Sequence, residues 1–242
     1  MSVHSKFDTF QENQKEFFDA LITEDWSTYS DPFWDFTREQ EVLKILNAVS
    51  NPKRILDVGC GCGYHDILFA AYPSVEYVLG VDYSEKSVLT ANKVYPHDKV
   101  ERKCVDFLNA KELVKFDVAV SFQVIEHLRD YETFLRKMAS AVNEDGYVVI
   151  ATPNYNRFTN RVRKLFGKEP LFCDVMHYKE FTIEELKDLG EKEGLNLEKY
   201  FGYSFSLNIK SNIDQYIPKK ILFYLGAFFP KVSNVIIAIY KK

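Results

Sequence analysis

Cysteine is scarce in this chain of 242 residues: Cys60, Cys62, Cys104 and Cys173 are the only four, and none is spaced C-x-x-C. Neither a zinc ribbon nor a thioredoxin-type pair is therefore signalled, and the four read as reduced thiols of a cytoplasmic protein. Long apolar runs are also missing. The longest, Ile221 to Phe229, falls well short of the ~20 residues of a membrane span, and Met1-Ser-Val-His-Ser-Lys does not open a charged-then-apolar leader. No charge of one sign dominates: 31 basic against 35 acidic residues leave a net charge of −4, so nucleic acid is not an expected partner. Repeats and low-complexity tracts are absent too. What is present, 46% hydrophobic, 27% charged and 15% aromatic residues, is the composition of a globular domain spanning 1–242. At this length roughly 70–75% of the unfolded surface is buried, so a core needs no disulfide or structural metal.

From Lys53 onward, short β-branched runs alternate with helical patterns, the signature of repeated βαβ units and a mostly parallel sheet. Strands are expected near 53–58, 75–81, 99–105, 115–122, 146–152 and 195–206. Helices are expected near 84–95, with Ser84 as N-cap, and 182–194, opened by the capping box Thr182-x-x-Glu185 and closed at Gly194. Val235-Ile-Ile-Ala-Ile-Tyr240 reads as a last strand, antiparallel and at an edge.

Two segments stand outside this alternation. Residues 1–36 carry nine aromatics among acids, including Phe17, Phe33, Trp34 and Phe36, and suggest a cap laid across a cleft. Residues 153–180 interleave Arg157, Arg161, Arg163, Lys164 and Lys168 with apolar side chains. This is either a solvated surface helix or a basic lid that meets an anionic acceptor, or a membrane surface through 157–168.

The chemistry is concentrated in Ile55-Leu-Asp57-Val-Gly59-Cys60-Gly61-Cys-Gly63-Tyr-His, where a buried strand ends in an acid and then three alternating glycines. Such a loop brings backbone close to a ligand at the carboxyl end of the first strand. The dinucleotide spacing G-x-G-x-x-G fails, with Tyr64 or Asp66 where the third glycine belongs. An acid at Asp57 repels a pyrophosphate and attracts an ammonium group, which favours a cationic cofactor. Asp82 ends the second strand 25 residues later, where a carboxylate accepts two ribose hydroxyls, and Asp106 ends the third. Each acid alone can be a helix N-cap; three at one sheet edge, with the glycines, are harder to explain that way.

Asp57-x-Gly59-x-Gly61-x-Gly63, Asp82, Asp106, Phe116-Asp-Val-Ala-Val-Ser-Phe122-Gln123-Val-Ile-Glu126-His127 and Asp145-Gly-Tyr-Val-Val-Ile-Ala-Thr-Pro-Asn154 resemble the ordered motifs of class I S-adenosylmethionine-dependent methyltransferases. Val-Ile-Glu-His, Thr-Pro-Asn and His177-Tyr-Lys-Glu-Phe-Thr182 resemble the branch holding the ubiquinone-biosynthesis O-methyltransferases and relatives acting on glycans. The resemblance implies an α/β, Rossmann-like three-layer sandwich with a seven-stranded, mostly parallel sheet of order 3-2-1-4-5-7-6, strand seven antiparallel. It implies S-adenosylmethionine as cofactor and S-adenosylhomocysteine as product. Gly59, Cys60, Gly61 and Gly63 would line the methionine part, with Asp57 near its amino group; Asp82 would hold the ribose, with Tyr83 packed on the adenine. Asp106, Phe107, Phe122 and Gln123 would complete the pocket. Arg38 is either a partner of the cofactor carboxylate or a surface arginine.

Methyl transfer from a sulfonium requires alignment, exclusion of water and, for a hydroxyl acceptor, a base. His127, just past the fourth strand, and His177, after the basic segment, are the candidates; each also reads as a structural histidine. The Glu-x-x-Glu-His element thought to hold a metal in some relatives is Gln123-Val-Ile-Glu126-His127 here. Loss of the first carboxylate weakens a divalent site, and no required metal is expected. The expected activity is O-methylation of a small-molecule, glycan or lipid-linked hydroxyl; an N-methyltransferase or a non-catalytic cofactor-binding regulator are the alternatives. Oligomeric state is not legible.

Overall fold

A computed structural model describes residues 14–17, 19, 20, 22, 32–110, 114–208 and 213–242. In chain order the elements are α1 (Pro32–Ala48), β1 (Arg54–Val58), α2 (Tyr64–Ala70), β2 (Tyr77–Asp82), α3 (Glu85–Val94), β3 (Val100–Cys104), β4 (Phe116–Phe122), α4 (Tyr131–Ala141), β5 (Val142–Pro153), α5 (Phe158–Leu165), α6 (Ile183–Lys192), β6 (Asn196–Tyr203), α7 (Lys219–Phe228) and β7 (Val235–Lys241). The strands form one sheet in the order β3-β2-β1-β4-β5-β7-β6.

Strands β1 to β5 run parallel, and β7 runs antiparallel to both β5 and β6. The topology implied by the resemblance is therefore observed. The pattern-based placement of the last strand at an edge is not: β7 lies between β5 and β6, with Ile236 to Tyr240 buried, and β6 takes the edge. A run without polar alternation marks a strand covered on both faces, which is what Val235-Ile-Ile-Ala-Ile encodes.

Successive residues of each central strand feed opposite cores. Leu56, Leu79, Ala119 and Val148 pack with Phe134, Met138 and Leu186 from α4 and α6 on one face. Ile55, Val78, Val118 and Val149 pack with Val42, Ile45, Phe69 and Phe223 from α1, α2 and α7 on the other. Each fully buried side chain of this kind contributes about 1.5–3 kcal/mol. The local end signals hold: Ser84 accepts from the Ser87 amide, and Thr182 and Glu185 make both bonds of the capping box. Gly194 sits at φ +74°, the left-handed stop of α6.

Candidate cofactor and acceptor site

β1 ends in a bend built from left-handed glycines, Gly59 at φ +79°, Gly61 at +51° and Gly63 at +77°. The amides of Gly59 and Cys60 bond back to the Val81 carbonyl at 2.8 and 3.1 Å, tying the bend to the end of β2. The Ser121 hydroxyl donates to the Val58 carbonyl at 2.9 Å and ties the end of β4 to β1. A Cβ at Gly59 would collide with Val124, whereas one at Gly61 would meet no protein atom within 4 Å. Backbone at Gly61 thus fronts open space, and that space is a cavity of about 420 Å³.

Gly59, Gly61, Asp82, Tyr83, Asp106, Phe107, Phe122, Gln123 and His127 line this cavity, so nine of the expected site residues are brought together. Asp82 is 8% exposed; its Oδ2 accepts from the Gly61 amide and its Oδ1 from the Ser84 amide, both at 2.9 Å. A carboxylate has about four lone-pair sites, so two remain for a vicinal diol. Burial raises the Asp82 carboxyl above its ordinary range, with the Ser84 and Gly61 amides offsetting part of the rise. Asp106 accepts from the Leu108 amide at 3.1 Å and the Asn109 side chain at 2.7 Å. Phe107 is buried edge-on against Phe134 at 5.7 Å. Gln123 holds φ +56°, a strained backbone for a non-glycine residue, and its amide bonds to the Ala151 carbonyl.

His127 lines the same cavity as Gly59, Gly61 and Asp82. Its Nδ1 lies 3.2 Å from the Met176 carbonyl, which only accepts, so Nδ1 carries the proton and Nε2 is the basic nitrogen. Burial pushes the His127 pKa below its ordinary value, with the Met176 carbonyl offsetting part of the shift.

Arg38, Asp57, Cys60, Gly63 and His177 do not line the cavity. Arg38 pairs with Asp35 at 3.6 Å and lies over the Tyr64 ring. Asp57 is buried beneath the bend against Asp66, which Arg102 neutralises at 2.7 Å. Burial first, then the Asp66 charge, hold the Asp57 proton on well above the usual carboxylate range. The Cys60 thiol is buried beside the same acids, which pushes its pKa up. Gly63 precedes α2, where a Cβ would strike the Arg102 guanidinium.

His177 lies edge-on to His127, with ring centroids 4.8 Å apart, and its Nδ1 meets Glu180 Oε1 at 3.0 Å. Burial alone would raise the Glu180 carboxyl, but bonds from His177, Arg157 and the Cys173 amide overcome it and hold the pKa at about 2. Arg157 is thereby removed from the expected basic stripe: it is buried and ion-paired to Glu180, while Arg161, Lys164 and Lys168 are exposed and Arg163 is half-buried. Donor atoms of Glu126, His127 and His177, and of Cys173, His177 and Glu180, come within 4.8 Å of one another. In the second cluster Glu180 is already paired to Arg157, and in the first Glu126 is bonded to Thr152, with burial raising its pKa to about 7.

Several participants have no sequence signal. Gln14 and Lys15, from the expected aromatic cap, line the cavity, and Gln14 Nε2 donates to the His127 and Met176 carbonyls at 3.3 Å. Residues 1–13, with Phe7 and Phe10, lie outside the described residues, as do Phe18, Trp26 and Tyr29. Phe122 stacks on His65 at 3.8 Å, and His65 is held by Glu41 at 2.9 Å. Glu41 also accepts from Tyr203, 162 residues away.

Residues 34–200 match the family described as Methyltransferase domain. Over 157 residues the chain is 34% identical to a Mycobacterium tuberculosis protein named a probable S-adenosylmethionine-dependent methyltransferase, covering 65% of this chain and 53% of that one. It is 26% identical over 184 residues to the ubiquinone biosynthesis O-methyltransferase of Pelagibacter ubique, covering 70% of this chain and 74% of that one. The chain thus spans about half the length of the mycobacterial relative. Among solved structures, the N-methyltransferase NodS of Bradyrhizobium japonicum superposes with a TM-score of 0.61 at 13% identity, covering 95% of this chain and 97% of that one. With its glycine bend, strand order and matched residues, the chain belongs to the class I S-adenosylmethionine-dependent methyltransferase family.

Proposed function

We propose that this chain transfers the methyl group of S-adenosylmethionine to a hydroxyl of a small-molecule, glycan or lipid-linked acceptor, releasing S-adenosylhomocysteine. The observation that carries this reading is that one cavity is lined by the glycine bend, Asp82 and His127 together. The residues suit the cofactor: Asp82 keeps lone pairs for two ribose hydroxyls, and Gly61 presents bare backbone in the left-handed region.

When bound, the cofactor supplies an electrophilic methyl group on a positively charged sulfur. The chain's own work is positioning and proton removal. Gly59 and Gly61 admit the ligand close to the backbone, and Tyr83 and Phe107 offer aromatic walls. His127, neutral because burial lowers its pKa, accepts the acceptor's proton at Nε2 while the Met176 carbonyl holds the Nδ1 proton. His177 and Glu180 act as positioning residues, fixing the turn that presents the Met176 carbonyl.

The test is calorimetry with S-adenosylhomocysteine, followed by incubation of the protein and methyl-labelled cofactor with extract of its source cells. Absence of binding heat would overturn the reading. His127→Ala should lower the transfer rate about 10²–10⁴-fold with product affinity unchanged. Full activity in His127→Ala/His177→Ala would point instead to transfer onto a neutral amine.

A further inference from the structure

The apolar run Ile221 to Phe229, too short to span a bilayer, forms most of α7, and it is apolar on both sides. Leu222, Phe223 and Gly226 are buried against the sheet and α1. Ile221, Tyr224 and Phe228, spaced three and four apart, point outward with Phe229 and are 52%, 55%, 77% and 48% exposed. A surface helix ordinarily turns a polar face to water, so four large apolar side chains on its outer face mark an interaction surface.

Charge says what kind. The chain carries a net −4, yet no residue from Gln215 to Lys242 is acidic. Lys219 and Lys220 stand exposed at the start of α7, and Lys231 stands exposed just past its end. The Lys219 and Lys220 ammonium groups lie over the Phe33 and Phe36 rings of α1, at 5.2 and 4.8 Å, placing cations along the rim of the apolar stripe. A second copy related by two-fold symmetry would set lysines against lysines, which disfavours self-association through this face. An anionic surface meets both features at once.

We propose that the outer face of α7 docks on an anionic lipid surface. Ile221, Tyr224, Phe228 and Phe229 enter the headgroup layer, and the flanking lysines meet the anionic headgroups. The helix, ten residues and about 15 Å long, lies in the interface plane. No helix among the described residues is long and apolar enough to cross a membrane. Docking by α7 is distinct from the basic segment 157–168 and independent of cofactor binding.

The test is co-sedimentation of the full chain with vesicles of phosphatidylglycerol and phosphatidylcholine, against vesicles of phosphatidylcholine alone. Binding should be on the order of tenfold or more tighter to the anionic vesicles and should weaken with added salt. Tyr224→Ser/Phe228→Ser and Lys220→Gln/Lys231→Gln should each cost about tenfold or more. Tyr224 also packs against Phe36 and Phe223, and Lys220 lies over Phe36, so the melting temperature, measured in parallel, should fall by only a few degrees, with S-adenosylhomocysteine affinity unchanged. Equal binding to both vesicle types, or none, overturns the proposal. So does binding lost in Arg163→Gln/Lys164→Gln but kept in both α7 variants. A dimer in sedimentation that Tyr224→Ser/Phe228→Ser converts to monomer would make a second copy the occupant, and overturns it as well.

Discussion

Asp57, Asp82 and Asp106 each end a parallel strand at the same sheet edge, and their environments divide them. Asp57 is sealed under the glycine bend with Asp66, Asp82 forms the cavity wall, and Asp106 is exposed at its rim. Only Asp82 joins burial to a free side toward the cavity. Asp82→Ala should therefore weaken S-adenosylhomocysteine binding about 10–100-fold, the loss of charge-assisted hydrogen bonds, as read by calorimetry. In the unaltered protein that affinity should persist above the raised Asp82 pKa and fall as pH drops through it. Glu126 makes a second test. It is fully buried, bonded to Thr152 at 2.9 Å, with its pKa raised to about 7. In the unfolded chain it titrates near 4.3, so its contribution to stability is complete below that value and is lost as pH rises through about 7. Glu126→Gln keeps the Thr152 acceptor without the charge, and should remove at most roughly 2–3 kcal/mol of the stability lost between pH 5 and 8. Denaturant melts at the two pH values read it directly.

The elements were legible where the signal was local. Ser84, the Thr182 and Glu185 pair and Gly194 mark helix ends through bonds to residues within a few positions, and all three formed. The glycine bend was equally plain, but its three members proved unequal, because Val124 and Arg102 come from distant segments. Gly59→Ala adds a clash to the cost of the left-handed backbone, ~1–2 kcal/mol, and should lower both melting temperature and cofactor affinity. Gly61→Ala meets no protein atom; it should lower the melting temperature by only a few degrees yet weaken S-adenosylhomocysteine binding about tenfold or more, since the new methyl enters the cavity. Equal losses of stability in the two variants would contradict this account. The basic segment was read correctly as helical and charged, but Arg157 was not separable from its neighbours, because its partner Glu180 lies 23 residues on.

For the molecule as a whole, the proposed cofactor site joins the ends of β1, β2, β3 and β4, so a ligand there should stabilise all of them together. At a hundredfold excess over its dissociation constant, S-adenosylhomocysteine should add about 2.7 kcal/mol and raise the melting temperature by about 5–10 °C for a chain of this size. Scanning calorimetry with and without ligand measures it. An unchanged melting temperature at that excess would mean that the ligand does not select the folded state. Alternation of strand and helix, the acids and glycines at strand ends, and the histidines were all determined by the sequence itself, because period, capping and bend chemistry act over a few residues. Tertiary structure alone decided that Asp57 lies under the bend rather than in the cavity, and that Gln14, Met176 and Glu41 serve the site. Each of those outcomes depends on groups tens to more than a hundred residues apart, brought together by the burial of two apolar faces on one sheet.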